Sequence, residues 1–217
     1  MILLILFLAF PPFCLAFHQL TKKYLNPYKL IFVFGKKGSG KSTLLQKLSY
    51  KYFKNGWTVY STEVEDINSP MHPIDPKKIY EYEFPERSCI FIDEVSLIWD
   101  NRNFKNMDSK VVAWFRYQRH YKCRVYLFSQ SFDIDKKLRD LCDEMYLVNK
   151  IARVLVRAKR IMRKPVVVHP SPEAPARIDE DLIVDGPLMA LFGGRLYASI
   201  PHWAKFYDSF KSLEEES

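Results

Sequence analysis

The apolar positions of this chain gather into short unbroken runs with helical patterns between them. Leu30-Ile31-Phe32-Val33-Phe34, Cys89-Ile90-Phe91-Ile92 and Val125-Tyr126-Leu127-Phe128 show no polar alternation. Runs of that kind belong to strands buried on both faces of a sheet. Between them, Leu44, Leu45, Leu48 and Tyr52 recur at helical spacing and predict a helix from Ser42 through Tyr52. A second helix is predicted from Asp133 to Cys142. Strands alternating with helices predict an α/β fold, a parallel sheet flanked by helices.

The two ends of the chain read differently. Met1 to Phe17, MILLILFLAFPPFCLAF, carries no charged side chain, is near the lower length limit for a spanning helix, and is interrupted by Pro11-Pro12. A cleaved signal peptide competes with a transmembrane anchor here, but no Lys or Arg precedes the run and no small-x-small cleavage site follows it. Lys22, Lys23 and Lys29 follow closely, so the positive-inside rule puts the N-terminus outside and the remainder in the cytoplasm. The expected organisation is an anchor over 1–20, a nucleotide-binding domain over 28–164, an extended linker over 165–200 and an amphipathic tail over 201–217. The linker expectation rests on prolines 165, 170, 172, 175 and 187 and on a shift to acidic residues. The tail places Trp203, Phe206, Tyr207 and Phe210 at helical spacing, for docking on this subunit, a neighbour or another component.

Between the first strand and the first helix lies Gly35-Lys36-Lys37-Gly38-Ser39-Gly40-Lys41-Ser42-Thr43, a complete G-x-x-x-x-G-K-[ST] phosphate loop. Its glycines let backbone N–H groups approach phosphate oxygens, and the helix N-terminus adds partial positive charge. Lys41 is expected at the β- and γ-phosphates, with Ser42 a ligand of Mg²⁺. The second apolar run ends in Asp93-Glu94. Asp93 is placed to hold Mg²⁺, and Glu94 to act as general base on the attacking water.

GTPases need D-x-x-G at this point and N-K-x-D later. Here Asp93-Glu94 is followed by Val95-Ser96, and Asn149-Lys150 by Ile151-Ala152, so ATP is the expected nucleotide. The third run ends in Ser129-Gln130-Ser131. In ATPases with a glutamate beside the metal aspartate, that strand lies between the other two and presents a polar sensor to the γ-phosphate. Gln130 is the candidate sensor, unless it only caps the next helix. The fold expectation is therefore a P-loop NTPase of RecA-like strand order (the additional-strand, catalytic-glutamate class).

The order GKKGSGKS, CIFIDEVSLIW, then WFRYQRHYKCRVYLFSQSFDIDKKLRDLCD resembles the zonula-occludens-toxin-like ATPases. The features that carry it are the phosphate loop, Asp93-Glu94, the Arg119-His120 doublet and the Ser-Gln sensor followed by Asp133 to Arg139. It covers about residues 28–155. The resemblance implies an ATPase of filamentous phage assembly: membrane-anchored, a ring-like homo-oligomer, driving DNA extrusion with coat or assembly proteins as partners. In the family's members the membrane segment follows the ATPase domain, whereas here the only candidate precedes it. Motors of this class complete their site with an arginine from a neighbouring subunit, and Arg102, Arg119 and Arg139 are the candidates. Alternatives of the same superfamily are a DNA-packaging or conjugation ATPase. A nucleotide-dependent membrane scaffold with little hydrolysis is the alternative of another class. A small-molecule kinase is disfavoured, because no Gly/Arg-rich lid follows the sensor strand.

Composition adds two points. Four scattered cysteines, with no C-x-x-C pair, exclude a disulfide framework and a zinc site. The net charge of +8 is concentrated. Lys150, Arg153, Arg157, Lys159, Arg160, Arg163 and Lys164 carry no acidic residue among them, and Arg153 to Arg157 alternates like a strand with one charged face. A second group, Arg116, Arg119, His120, Lys122 and Arg124, lies near Trp114, Tyr117 and Tyr121. Single-stranded DNA or anionic lipid fits such surfaces; a solvated face fits them as well.

Overall fold

In the computed structural model the three apolar runs lie side by side in one sheet. Residues 25–63, 70–99, 107–132, 134–168, 177–186 and 194–203 are described, with Pro12, Ala16, Leu20 and Thr21 before them. The strands are β1 (Leu30–Phe34), β2 (Thr58–Ser61), β3 (Met71–Pro73), β4 (Ser88–Ile92), β5 (Cys123–Ser129), β6 (Glu144–Ile151), β7 (Leu155–Val168), β8 (Arg177–Val184) and β9 (Arg195–Ser199). The helices are α1 (Lys41–Lys54), α2 (Val95–Ile98), α3 (Ser109–Tyr117), α4 (Lys136–Leu141) and α5 (Ile200–Trp203). A 3-10 segment, Pro76–Glu81, precedes β4.

The sheet order is β3-β2-β4-β5-β1-β6-β7-β8, with β9 also paired to β7. From β3 to β6 all pairings are parallel, and β5 lies between β4 and β1 as the sensor-strand reading expects. The fold is thus mixed α/β with a mostly parallel sheet, of the P-loop NTPase kind. Strands β1 and β4 are buried at every position, because helices cover both faces. On one face Ile31, Val33, Phe91 and Phe128 pack against Leu44, Leu45 and Leu48 of α1. On the other, Leu30, Phe32, Ile90 and Leu127 pack against Trp114 and Phe115 of α3 and Leu138 of α4. Helix α4 starts later than expected, because the Asp135 carboxylate caps it, accepting from Lys137 N at 2.7 Å and Leu138 N at 3.3 Å.

Several expectations are corrected. The stretch 165–200 is not simply an extended linker: it supplies the end of β7, then β8 and β9, all antiparallel. One opposite-charge pair crosses the β7–β8 register, Lys164 facing Asp181, which favours pairing at that point of the acidic stretch. Pro165 falls where β7 pairs only with β8, so its missing N–H can sit on the open edge. The strand read over 153–157 begins at Leu155, since Ala152 and Arg153 form a left-handed turn at φ 48° and 60°. The basic residues of β7 do not make one face. Arg157 and Arg163 alternate with Arg160, Arg160 pairs with Asp185 at 3.8 Å, and Arg163 with Asp140 at 2.7 Å.

Lys29, one of the cations read as flanking the anchor, is ion-paired with Glu144 at the start of β6. The beginning of the tail docks on its own subunit, with Trp203 edge-on to Tyr50 of α1 at 5.5 Å. Most of the expected anchor, Arg102, Asp133 and the tail after Trp203 lie outside the described residues. Among the described residues no helix is long and apolar enough to cross a membrane.

Candidate nucleotide site

Parallel strands all point their C-terminal ends the same way, so β1, β4 and β5 deliver their next residues to one edge of the sheet. The phosphate loop leaves β1 and is tied back by Gly35 N donating to Ser129 O of β5 at 3.2 Å. Gly40 closes the loop at φ 95°, a conformation that disfavours any side chain. It has no room for one either: a Cβ there would stand 2.3 Å from Cγ2 of Val156 on β7. Helix α1 begins at the next residue with its N–H groups directed at the loop.

Inside the loop, Lys41 is only 7 % exposed. Its Nζ donates to the Gly35 carbonyl at 3.0 Å and reaches Lys36 O at 3.5 Å. Burial lowers the pKa of this amine, against the opposing pull of Glu94 and Asp93. The Ser39 hydroxyl is buried without a hydrogen-bond partner. A buried cation satisfied only by carbonyls, beside an orphaned hydroxyl and a bare backbone cradle, fits an anionic group such as a phosphate chain.

Asp93 and Glu94 follow β4 directly. Asp93 is 6 % exposed, its Oδ1 accepts from Glu94 N at 2.8 Å, and its own N–H donates to the Thr62 hydroxyl at 2.9 Å. Glu94 takes a left-handed conformation (φ 47°, ψ 45°), rare outside glycine and frequent at functional sites. That turn brings its Oε1 to Gln130, whose Nε2 donates at 2.8 Å, while its Oε2 is buried without a partner. Gln130 therefore engages the candidate base; Asp135, not Gln130, caps α4.

Of the expected residues, the structure brings together Gly35 through Thr43, Asp93, Glu94 and Gln130. The arginines separate. Arg139 lies over the Phe132 ring, 4.5 Å from its centroid, just beyond the sensor strand. Arg119 is ion-paired with Asp143, whose other oxygen accepts from Leu30 N, at the far end of β1. Thr62 is a residue that the sequence reading missed. The signal was weak: a hydroxyl just after a short strand between the two motifs. Among the described residues no three His, Cys, Asp or Glu side chains gather as a metal site. Mg²⁺ would therefore depend on Ser42, Asp93 and the nucleotide's own oxygens.

A family model described as Novel STAND NTPase 3 matches residues 15–149. No curated protein sequence matches the chain. Among solved structures, the N-terminal domain of zonular occludens toxin from Neisseria meningitidis shares 17 % identity at a TM-score of 0.51, covering 75 % of this chain and 97 % of that one. The genome packaging NTPase B204 from Sulfolobus turreted icosahedral virus 2, in complex with AMP, shares 11 % at 0.50, covering 73 % and 100 %. At these identities the likeness is one of fold. The resemblance to zonula-occludens-toxin-like ATPases thus holds for the architecture. With a matching family model over more than half its length and a complete phosphate loop, Asp-Glu pair and sensor strand around one cradle, the chain belongs to the Novel STAND NTPase 3 family and is a nucleoside-triphosphate hydrolase.

Proposed function

We propose that the chain is a membrane-anchored ATPase that turns hydrolysis into movement of DNA, of the phage-assembly or genome-packaging kind. The observation that carries it is the convergence of Lys41, Asp93, Glu94 and Gln130 at the ends of three adjacent parallel strands. Lys41 would turn from the Gly35 carbonyl to the β- and γ-phosphate oxygens. Glu94 would orient a water and take its proton as the oxygen attacks the γ-phosphorus and the bond to ADP breaks. Gln130 would leave Glu94 for a γ-oxygen, so that phosphate arrival and release of the base are one event. Mg²⁺, when bound, neutralises developing phosphate charge. Arg139, beside the sensor strand, is the best-placed described arginine to act on a neighbouring subunit's nucleotide in a ring. The anchor is residues 1–20, supported by their apolar run and by Lys22 and Lys23 behind it. The fold shared with the packaging NTPase and the zonular occludens toxin domain supports the motor reading.

The Gln130–Glu94 bond favours a second reading, a nucleotide-dependent scaffold that hydrolyses slowly because its base is clamped. Steady-state ATPase of the full chain in detergent, with and without single-stranded DNA, separates the two. A motor turns over repeatedly and is stimulated; a scaffold binds ATP and stops near one turnover. Gln130→Ala should slow a motor and accelerate a clamped scaffold.

A further inference from the structure

The strongest feature outside the nucleotide site is a pocket of about 280 Å³ lined by Tyr80, Tyr82, Trp114, Tyr117, Tyr121 and Lys110. Tyr80 and Tyr82 precede β4, and Tyr117 and Tyr121 precede β5. The pocket therefore opens where the parallel strands begin, at the end of the sheet opposite the phosphate loop. Tyr117 and Tyr121 are 51 % and 46 % exposed, too much for core residues. Trp114 is the buried floor, and Tyr121 already lies on it nearly flat, with centroids 5.7 Å apart and planes at 12°. One face of a stacked pair is thus presented outward.

One cation lines the pocket: the Lys110 amine stands over Tyr80 at 5.3 Å, while exposed Arg116 precedes Tyr117 on α3 and exposed Lys77 and Lys78 precede Tyr80. Carboxylates stand in the same segments: Asp108 caps α3 through Lys110 N, Asp75 accepts from Lys77 N, Glu86 pairs with Lys122, and exposed Glu81 and Glu83 flank Tyr82. From Ser109 to Phe132 the chain has no acidic residue at all. Open aromatic faces with the Lys110 amine among them match a strand whose bases stack while a phosphate meets the cation. Duplex DNA keeps its bases stacked inside and would leave the rings unused.

We propose that this pocket stacks bases of a single-stranded nucleic acid, at the opposite end of the sheet from the site of hydrolysis. The proposal rests on the reading of the chain as an NTPase that handles DNA, but it names a surface that can be tested without turnover. The probe is a fluorescein-labelled oligothymidine, its anisotropy titrated with the full chain in detergent. Replacing Tyr117 and Tyr121 together by Ala should weaken binding roughly 10-fold or more. Replacing both by Phe, which keeps the rings, should restore it. A fluorescent ATP analogue should bind all three proteins alike, which shows that the fold is intact. If wild type binds the oligonucleotide and the Ala variant loses it, the pocket stands even when DNA fails to stimulate turnover. Equal binding by wild type and the Ala variant overturns it, whatever the ATPase does. So does an oligonucleotide that fails to bind wild type while a proline-rich peptide binds and is lost in the Ala variant.

Discussion

The parallel half of the sheet, β3 through β6, and the antiparallel extension, β7 through β9, follow different rules. The parallel half is apolar on both faces and sends every strand end to one edge, where the chemistry collects. The extension carries charges across its strands and exposes Met162, Leu182, Ile183 and Val184 by about two-fifths each. It still reaches the site from behind. Val156 of β7 closes on Gly40 and Lys47 of α1 donates to Tyr197 O on β9, while within the parallel half the carbonyl of Val148 on β6 stands 2.7 Å from where a Cβ of Gly35 would be. The family match ends at residue 149, so much of this backing lies past the matched stretch. One region supplies the candidate reacting groups and the other packs behind their loop.

The sharpest test of that division acts on the reacting groups. Lys41→Ala removes the cation that meets the phosphates and should abolish measurable ATP binding by calorimetry. Glu94→Gln keeps shape and hydrogen bonding without the base, and should bind ATP while turning over at least ~10²-fold more slowly. Equal turnover in wild type and Glu94→Gln would remove Glu94 from the base role.

Next in size is the contact between the regions. Gly40→Ala must place a Cβ against Val156 at a left-handed φ, and should cost roughly 3 kcal/mol of stability along with most ATP affinity. Val156→Ala alone, a truncation of a fully buried side chain, should cost about 2 kcal/mol and leave the loop's backbone intact. Combined, the two changes should cost less than their sum, because the second removes the first one's clash. Strict additivity in urea unfolding would mean that β7 does not brace the loop.

The two regions also differed in how far the sequence revealed them. Buried parallel strands are unbroken apolar runs, and the loop, Asp93-Glu94 and Gln130 follow such runs directly, so the elements and the place of the candidate site were legible together. β2 and β3 are short and gave little signal, and Thr62 went unseen with them. The end of β7 and all of β8 were hidden by Pro165 and by the acidic residues 179–181, which read as linker features although the pairing sets Lys164 opposite Asp181. The expected charged face of β7 failed because alternation sends neighbouring cations to opposite sides, and partners far along the chain, Asp140 and Asp185, claim two of them.

A smaller effect probes the seam at β6. Burial pushes the Glu144 carboxyl up, but the Lys29 amine and the Tyr146 hydroxyl outweigh it, and its pKa ends below the ordinary value. A lowered carboxylate pKa contributes stability that is present above the unfolded value of about 4.3 and is lost as pH falls through the folded one. Lys29→Met should remove part of that contribution, roughly 1 kcal/mol at pH 7, since the amine is part-exposed. The difference from wild type should shrink below about pH 4. A gap in urea midpoint that stays constant from neutral to acid pH would assign the loss to packing instead.

The smallest expected effect would break the division if it were large. Arg157, Arg160 and Arg163 were candidates for a nucleic-acid stripe, and all three belong to the extension. If they held single-stranded DNA, replacing them by Ala would flatten the log–log salt dependence of binding by about two units, at roughly 0.7 per phosphate. The structure argues otherwise. Arg160 and Arg163 already face carboxylates, and Arg157 and Arg160 project to opposite sides of β7, so no single strand can touch all three. The triple replacement should change the slope by less than about one unit, whereas loss of the Tyr117 and Tyr121 rings should lower affinity with little change in slope, because stacking releases no counterions. A two-unit drop on removing the arginines would put DNA on the extension, and β7 through β9 would then be working parts of the machine.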